Sequence, residues 1–240
     1  MNPEVKEHYT NLLADVYSWM SGDISQKSEE AKQYLLSAGI PDGKGRSAID
    51  LGAGYGIHAK ALAELGYDVT AVDFSSQLLE ELKKNVPSAG IVNADIAEYE
   101  FTFRPDMVLC MGDTFTHLDS IETAGRLIRR ISAALQEGGL FFLSWRDLSA
   151  ELQGVSRFIP VKSDSSKILT CFLEYTSDEY VTVHDLLYRN VSGKWEFSAG
   201  SYKKLRLACS VMSNILRDNG FEIISTISIK GMEHFACKKI

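Results

Sequence analysis

Ala48-Ile49-Asp50-Leu51-Gly52-Ala53-Gly54-Tyr55-Gly56 is the stretch on which the reading of this chain turns. A short apolar run of strand character leads straight into alternating glycines, and residues 57–65 then carry the apolar spacing of a helix. Glycines at a strand-to-helix turn let the backbone bend tightly and let a ligand approach without meeting a Cβ. A dinucleotide turn of the G-x-G-x-x-G kind would place its third glycine one position later, where Ile57 stands. An NAD(P)-dependent oxidoreductase is therefore kept as the second enzyme reading rather than the first.

Working outward, further strands are predicted at 68–72, 89–93, 107–111 and 140–145, and helices at 77–85 and 121–135. Strand and helix alternate, which predicts an α/β fold with a parallel sheet covered by helices on both faces. Residues 1–45 have helical spacing, broken at Ser21-Gly22-Asp23, and form an N-terminal cap segment ahead of a core at 46–149. The pattern changes after that to long alternating runs joined at Ser177-Asp178 and Ser192-Gly193, which predicts an antiparallel β insertion over 150–207. Residues 208–240 supply a last helix and two strands that complete the edge of the core sheet. The stretches 41–46 and 148–166 are expected to be flexible joints.

Composition bounds what such a domain does. The chain has 240 residues, 45% of them hydrophobic, and a formal charge of −7. That balance excludes disorder, and with scattered basic residues it argues against a nucleic-acid partner. Lys203, Lys204 and Arg206 are the nearest approach to a basic cluster. The four cysteines are far apart, so no metal site is expected. Apolar runs are strand-sized and the first ten residues are polar, so neither a membrane partner nor a signal peptide is expected, and a cytoplasmic location follows.

Asp73 ends the second strand at about the distance where a carboxylate reaches the two hydroxyls of a ribose, the alternative being a helix N-cap that Ser75 or Ser76 could equally provide. Asp95 ends the third strand, where it could accept from an adenine amino group between apolar neighbours such as Phe74 and Ile96. Polar groups at successive strand ends fit the rule that open α/β sheets bind ligands beyond the carboxyl ends of their strands.

The glycine turn, Asp73, Asp95 and Ala134-Leu135-Gln136-Glu137-Gly138-Gly139-Leu140 together resemble the class I S-adenosylmethionine-dependent methyltransferases. That resemblance implies a Rossmann-like seven-stranded methyltransferase sheet, S-adenosyl-L-methionine as cofactor and S-adenosyl-L-homocysteine as product. It also implies that Asp50, Gly52, Ala53, Gly54, Asp73, Phe74, Asp95, Ile96 and Met111 lie at the cofactor. Gly112-Asp113-Thr114-Phe115-Thr116-His117-Leu118 is similar to the loop of the glycine N-methyltransferase and glycine/sarcosine methyltransferase group, with Asp113 where that group has Asn. By the same resemblance Tyr17 and Lys27 face the cofactor from the N-terminal segment, and Arg146 clamps a substrate carboxylate. His117 either bonds the cofactor or caps a helix starting near Asp119. Asp113 is read as ion-paired with Arg146, as a holder of a substrate ammonium, or as its proton acceptor.

The expected function is methyl transfer to a small-molecule acceptor, an amine or an amino-acid-like nitrogen, with Asp113, His117 and Arg146 around it. A non-catalytic S-adenosylmethionine-binding scaffold is the reading from another class. A homo-oligomer formed through the antiparallel insertion is also expected.

Overall fold

The computed structural model describes residues 2–240. Its main sheet holds β1 (Ser47–Leu51), β2 (Asp68–Asp73), β3 (Gly90–Asn93), β4 (Met107–Cys110), β5 (Leu140–Trp145), and the late strands here labelled β10 (Phe221–Ile229) and β11 (Met232–Lys239). Strand order is β10-β11-β5-β4-β1-β2-β3. The five strands of the predicted core pair parallel, and β11 enters antiparallel between β5 and β10. This is the seven-stranded Rossmann-like sheet expected from the sequence.

Side chains alternate across each strand and so feed two cores. Ile49, Val108 and Phe141 pack with α6 (Ile121–Ala134) and α7 (Cys209–Asp218) on one face. Ala48, Leu109 and Phe142 pack with α3 (Ile24–Ser37), α4 (Ile57–Glu64) and α5 (Ser76–Asn85) on the other. Two-sided burial explains why these strands read as continuous apolar runs.

The insertion is a separate antiparallel sheet in the order β6 (Phe158–Ser163), β7 (Lys167–Tyr175), β8 (Tyr180–Val191), β9 (Lys194–Leu205). Ser192 and Gly193 both take positive φ, 53° and 84°, the pairing a tight two-residue hairpin needs between right-twisted strands. The sheet's inner face, with Leu169, Leu173, Val183 and Leu187, packs against Val5, Leu12, Leu13 and Val16 of the N-terminal segment. That segment begins as α1 (Pro3–His8), passes through a wide turn at Tyr9–Leu13 and a tight one at Ala14–Val16, and ends as α2 (Tyr17–Ser21) before the break at Gly22.

The stretch 148–166 is not a free joint. It contains β6, an edge strand with Pro160 and a register shift between Pro160 and Lys162. Proline and a bulge are features of an edge strand, and they also mask its period in sequence. Arg206 holds the stretch's start, donating to the carbonyls of Leu148 and Ser149 at 3.2 and 2.8 Å. The apparent basic cluster is dispersed as well, since Lys203 points to solvent near Glu4 while Lys204 is buried. Among the described residues no helix is long and apolar enough to cross a membrane.

Candidate active site

The glycine turn leaves β1 with Gly52, Gly54 and Gly56 at φ of 75°, 54° and 104°, conformations that exclude most side chains. At Gly52 a Cβ would lie 2.5 Å from the Thr114 methyl, so the turn and the loop after β4 touch only because residue 52 lacks one. The turn is braced from β2. Asp73 accepts the Gly54 N–H at 2.8 Å on one oxygen and the Ser75 N–H at 2.9 Å on the other. Ser75 caps α5 itself, accepting from the Leu78 N–H. Asp73 is thereby left aimed at the turn.

Asp50 is 1% exposed, and its Oδ2 has no hydrogen-bond partner among the described residues. Burial, and then the neighbouring Asp73 charge, push its carboxyl up to about 7. Burial raises Asp73 too, against the N–H groups that hold its charge. Two buried carboxylates with an unsatisfied oxygen make this end of the site attractive to a ligand carrying positive charge and hydrogen-bond donors. S-adenosylmethionine, with its sulfonium, ammonium and ribose hydroxyls, has both, so the donor set fits the cofactor implied by the sequence.

A narrow slot of about 30 Å3 runs over the turn, bounded by Gly52, Gly54, Asp73, Phe74 and Ile96 below and by Tyr9 and Tyr17 above. The Tyr9 ring stands edge-on to Phe74 at 5.5 Å and to His117 at 5.8 Å. Tyr17 lies 3.5 Å from where a Gly54 Cβ would be. Asp95 precedes Ile96 but does not itself line the slot, and it is already engaged, taking Lys6 of α1 at 2.7 Å and the Ala97 N–H at 2.9 Å. Ala53 is buried in the core beneath the turn. Lys27 lies on α3, where its ammonium pairs with Glu30 at 2.8 Å, away from the slot.

A second, larger cavity of about 380 Å3 opens beside the slot, between the N-terminal segment, the β4 and β5 ends and the insertion's inner face. Met111 and Gly112 lie on its core side. Asp113 is the hub of its charge: Oδ1 accepts the Arg146 N–H at 2.9 Å, and Oδ2 takes both the Arg146 guanidinium and the Lys204 ammonium, the latter at 2.8 Å. Burial opposes ionisation of Asp113, but the two cations prevail and hold its carboxyl well below the usual range. With Oδ2 between two cations and Oδ1 on a backbone N–H, it is arranged as an ion-paired carboxylate.

His117 borders both chambers and is 5% exposed. Burial first, and Lys204 next, lower it to about 3, so the imidazole is neutral, and its Nε2 has no partner among the described residues. It does not cap the following helix, because Ser120 does. The cavity's far end holds a buried chain, with the Cys171 thiol on Asp185 at 2.8 Å and His8 Nε2 on the other Asp185 oxygen at 2.8 Å. Burial and Asp185 push the Cys171 thiol above its ordinary range, which makes it a poor nucleophile.

Sequence reasoning missed Tyr9, Tyr202, Lys204 and Asp185 as members of this site. The one available signal was spacing. Tyr202 and Lys204 are two apart in a strand and so share its inward face, where an unpaired lysine would be costly.

Residues 48–139 match the family model described as a methyltransferase domain. A glycine/sarcosine N-methyltransferase from Parasynechococcus marenigrum (strain WH8102) is 29% identical over 46% of this chain, and the aligned part spans 42% of that protein's length. Glycine N-methyltransferase of Rattus norvegicus is 26% identical over 81% of this chain and 73% of its own. Among solved structures, the S-adenosylmethionine-bound amino pentose methyltransferase CalS10 from Micromonospora echinaspora superposes with a TM-score of 0.77 at 13% identity, covering 100% of this chain and 98% of that one.

Proposed function

We propose that this chain, which has the fold of the class I S-adenosylmethionine-dependent methyltransferases and a methyltransferase domain at 48–139, transfers a methyl group to the nitrogen of a small-molecule amine. The observation that carries the proposal is the meeting of two chambers: Tyr9, Tyr17, Thr114 and His117 border both the slot over the glycine turn and the larger cavity. A donor lying over the glycine turn is larger than the slot and would extend past these four residues into the cavity, where its methyl group would meet an acceptor. The relatives named as N-methyltransferases support nitrogen as the acceptor atom.

When bound, S-adenosylmethionine supplies a methyl group already activated on a sulfonium, so the protein's task is alignment in a water-poor pocket. Asp73 would take the ribose hydroxyls, Asp50 would face the methionine end, and Tyr17 would cover the donor from the N-terminal segment. Arg146 has guanidinium donors beyond the one on Asp113, and with Lys204 it would bind an anionic group of the acceptor. An amine attacks only as the free base, its ammonium proton having gone to solvent before it is enclosed. His117 Nε2 is the unpaired acceptor at that point, and a neutral imidazole there would take an N–H hydrogen bond and orient the lone pair.

Calorimetry with S-adenosylmethionine, S-adenosylhomocysteine and NADH tests this reading first. Binding of the two adenosyl compounds at about micromolar Kd and none of NADH is expected, followed by transfer of labelled methyl to a small amine. Binding of NADH alone, or no binding of any of the three, rejects the proposal. With the acceptor in hand, Arg146→Ala is expected to lower kcat/KM by roughly 10- to 100-fold, the loss for a charge-assisted hydrogen bond.

Self-association through the insertion's outer face belongs to the same proposal. Phe158, Tyr188 and Phe197 are 51%, 41% and 56% exposed there, with the Tyr188 and Phe197 rings 4.9 Å apart across strands at a tilt of 39°. A contiguous apolar face of this kind suits an isologous contact with a second copy. Sedimentation should give a dimer that Phe197→Glu converts to a monomer.

A further inference from the structure

The methyl-transfer proposal leaves the acceptor's size and shape open, and the inner face of the insertion constrains both. Strand register arranges that face in layers two residues apart, about 7 Å by strand rise. One layer pairs Val181 with Lys204, the next Leu173, Val183 and Tyr202, and the third Cys171, Asp185 and Gly200. Charge therefore lies at two ends of the floor, and the layer between them is apolar apart from the Tyr202 hydroxyl. Opposite walls come from Leu13 of the N-terminal segment and from Ile159 and Val161 of β6.

The cation end is over-supplied. Lys204 and Arg146 share a single carboxylate, Asp113, and Lys204 is only 8% exposed. Lys204 and Asp113 balance each other in the interior, and the surplus charge is the half-exposed Arg146 guanidinium, whose remaining donors at the cavity edge suit a ligand anion. The apolar layer is likewise incomplete, because a cavity of about 380 Å3, shared between the donor's methyl end and the acceptor, stands against it. Glycine has no atoms beyond its ammonium, methylene and carboxylate to lay on Leu173 and Val183. Water would have to remain against those side chains, and the hydrophobic contribution of covering them would be lost.

We infer that the acceptor is an amine carrying one carboxylate and an apolar body larger than glycine, in the manner of an α-amino acid with an aliphatic or aromatic side chain. Its carboxylate completes the Arg146–Lys204–Asp113 cluster. Its body covers the Leu173–Val183 layer, and its nitrogen turns toward His117, whose ring packs edge-on against Tyr202 at 5.5 Å. The inference rests on the methyl-transfer reading, and it departs from the glycine and sarcosine named in the relatives.

The test compares labelled-methyl transfer to glycine, sarcosine, leucine, phenylalanine and 2-phenylethylamine, with S-adenosylhomocysteine affinity measured in the same preparations. Leucine or phenylalanine should exceed glycine in kcat/KM by roughly 10- to 100-fold, the value of burying one such side chain. 2-Phenylethylamine, lacking the carboxylate, should fall below phenylalanine by a similar factor. Val161→Trp, which narrows the cavity from an edge strand, should lower the phenylalanine-to-glycine ratio at least about tenfold. Lys204→Met should reduce transfer to phenylalanine more than transfer to 2-phenylethylamine. Glycine or sarcosine methylated as well as the larger acceptors overturns the inference, as does intact cofactor binding with no transfer to any of the five. Loss of cofactor binding in the unaltered protein instead overturns the methyl-transfer reading beneath it.

Discussion

Asp73→Asn weakens S-adenosylhomocysteine binding by an expected 100-fold or more, read by calorimetry at neutral pH. The side chain does two things at once in this structure. Its oxygens accept the N–H groups of Gly54 and Ser75, which fixes the curvature of the glycine turn, and its remaining lone pairs face the slot. An amide can keep only one of its two positions as an acceptor, and its NH2 then points a donor at another donor. One charge-assisted contact to each ribose hydroxyl is lost or weakened, at about 1.5–3 kcal/mol apiece, and about 1.4 kcal/mol is a factor of ten in Kd. The change also removes the negative charge beside Asp50, so the Asp50 carboxyl should titrate lower than its value of about 7 in the wild type. An Asp73→Asn protein that binds within threefold of wild type would remove Asp73 from the cofactor site.

The half of this site made by the sheet was legible in the sequence. Asp50, Gly52, Gly54 and Asp73 lie within one strand-turn-helix-strand unit, where local spacing fixes geometry, and their identities carry the chemistry directly. Asp113, His117 and Arg146 follow the next strand ends and come together for the same topological reason: parallel strands deliver their carboxyl ends to one edge. The other half comes from chain far away in sequence. Lys204 meets Asp113 across 91 positions, and His8 meets Asp185 across 177. Neither separation leaves a periodic trace.

Local rules also ran out where irregular backbone intervenes. The wide turn at Tyr9–Leu13 shifts the helical phase between α1 and α2, which is how Tyr9 and Tyr17 both reach the slot. Their rings are 5.8 Å apart. A uniform helix period puts both on one stripe with Leu12, Leu13 and Val16, but it does not say that those three pack on the insertion while the tyrosines face the slot, and the sequence pointed to Tyr17 alone. Trp19 goes the other way, toward the insertion, where its indole N–H donates to Asp164.

The buried Lys204–Asp113 ion pair makes Asp113 a position where a single substitution should cost the fold several kcal/mol. Asp113→Ala leaves Lys204 buried with no counter-charge and frees an Arg146 guanidinium that is about half exposed. Removing one partner of a buried ion pair costs about 3–5 kcal/mol. The solvent access of Arg146 favours the lower end, and about 3 kcal/mol corresponds to a fall in Tm of roughly 6–12 °C for a chain of this size. The loss depends on pH in a defined direction. The Asp113 carboxyl titrates below its unfolded value, so its stabilisation is complete above about pH 4, the ordinary carboxylate range, and disappears as pH falls through the lower folded value. Wild type and Asp113→Ala should therefore differ fully at pH 7 and converge in strong acid. Asp113→Ala combined with Lys204→Met separates charge from packing. If the orphaned ammonium is the cause, the double variant recovers most of the lost Tm, because an apolar side chain of similar length is tolerated where an unpaired cation is not. If the double variant is less stable than Asp113→Ala alone, Lys204 stabilises the cavity through contacts other than Asp113, and the cluster is not the ion-paired hub described here.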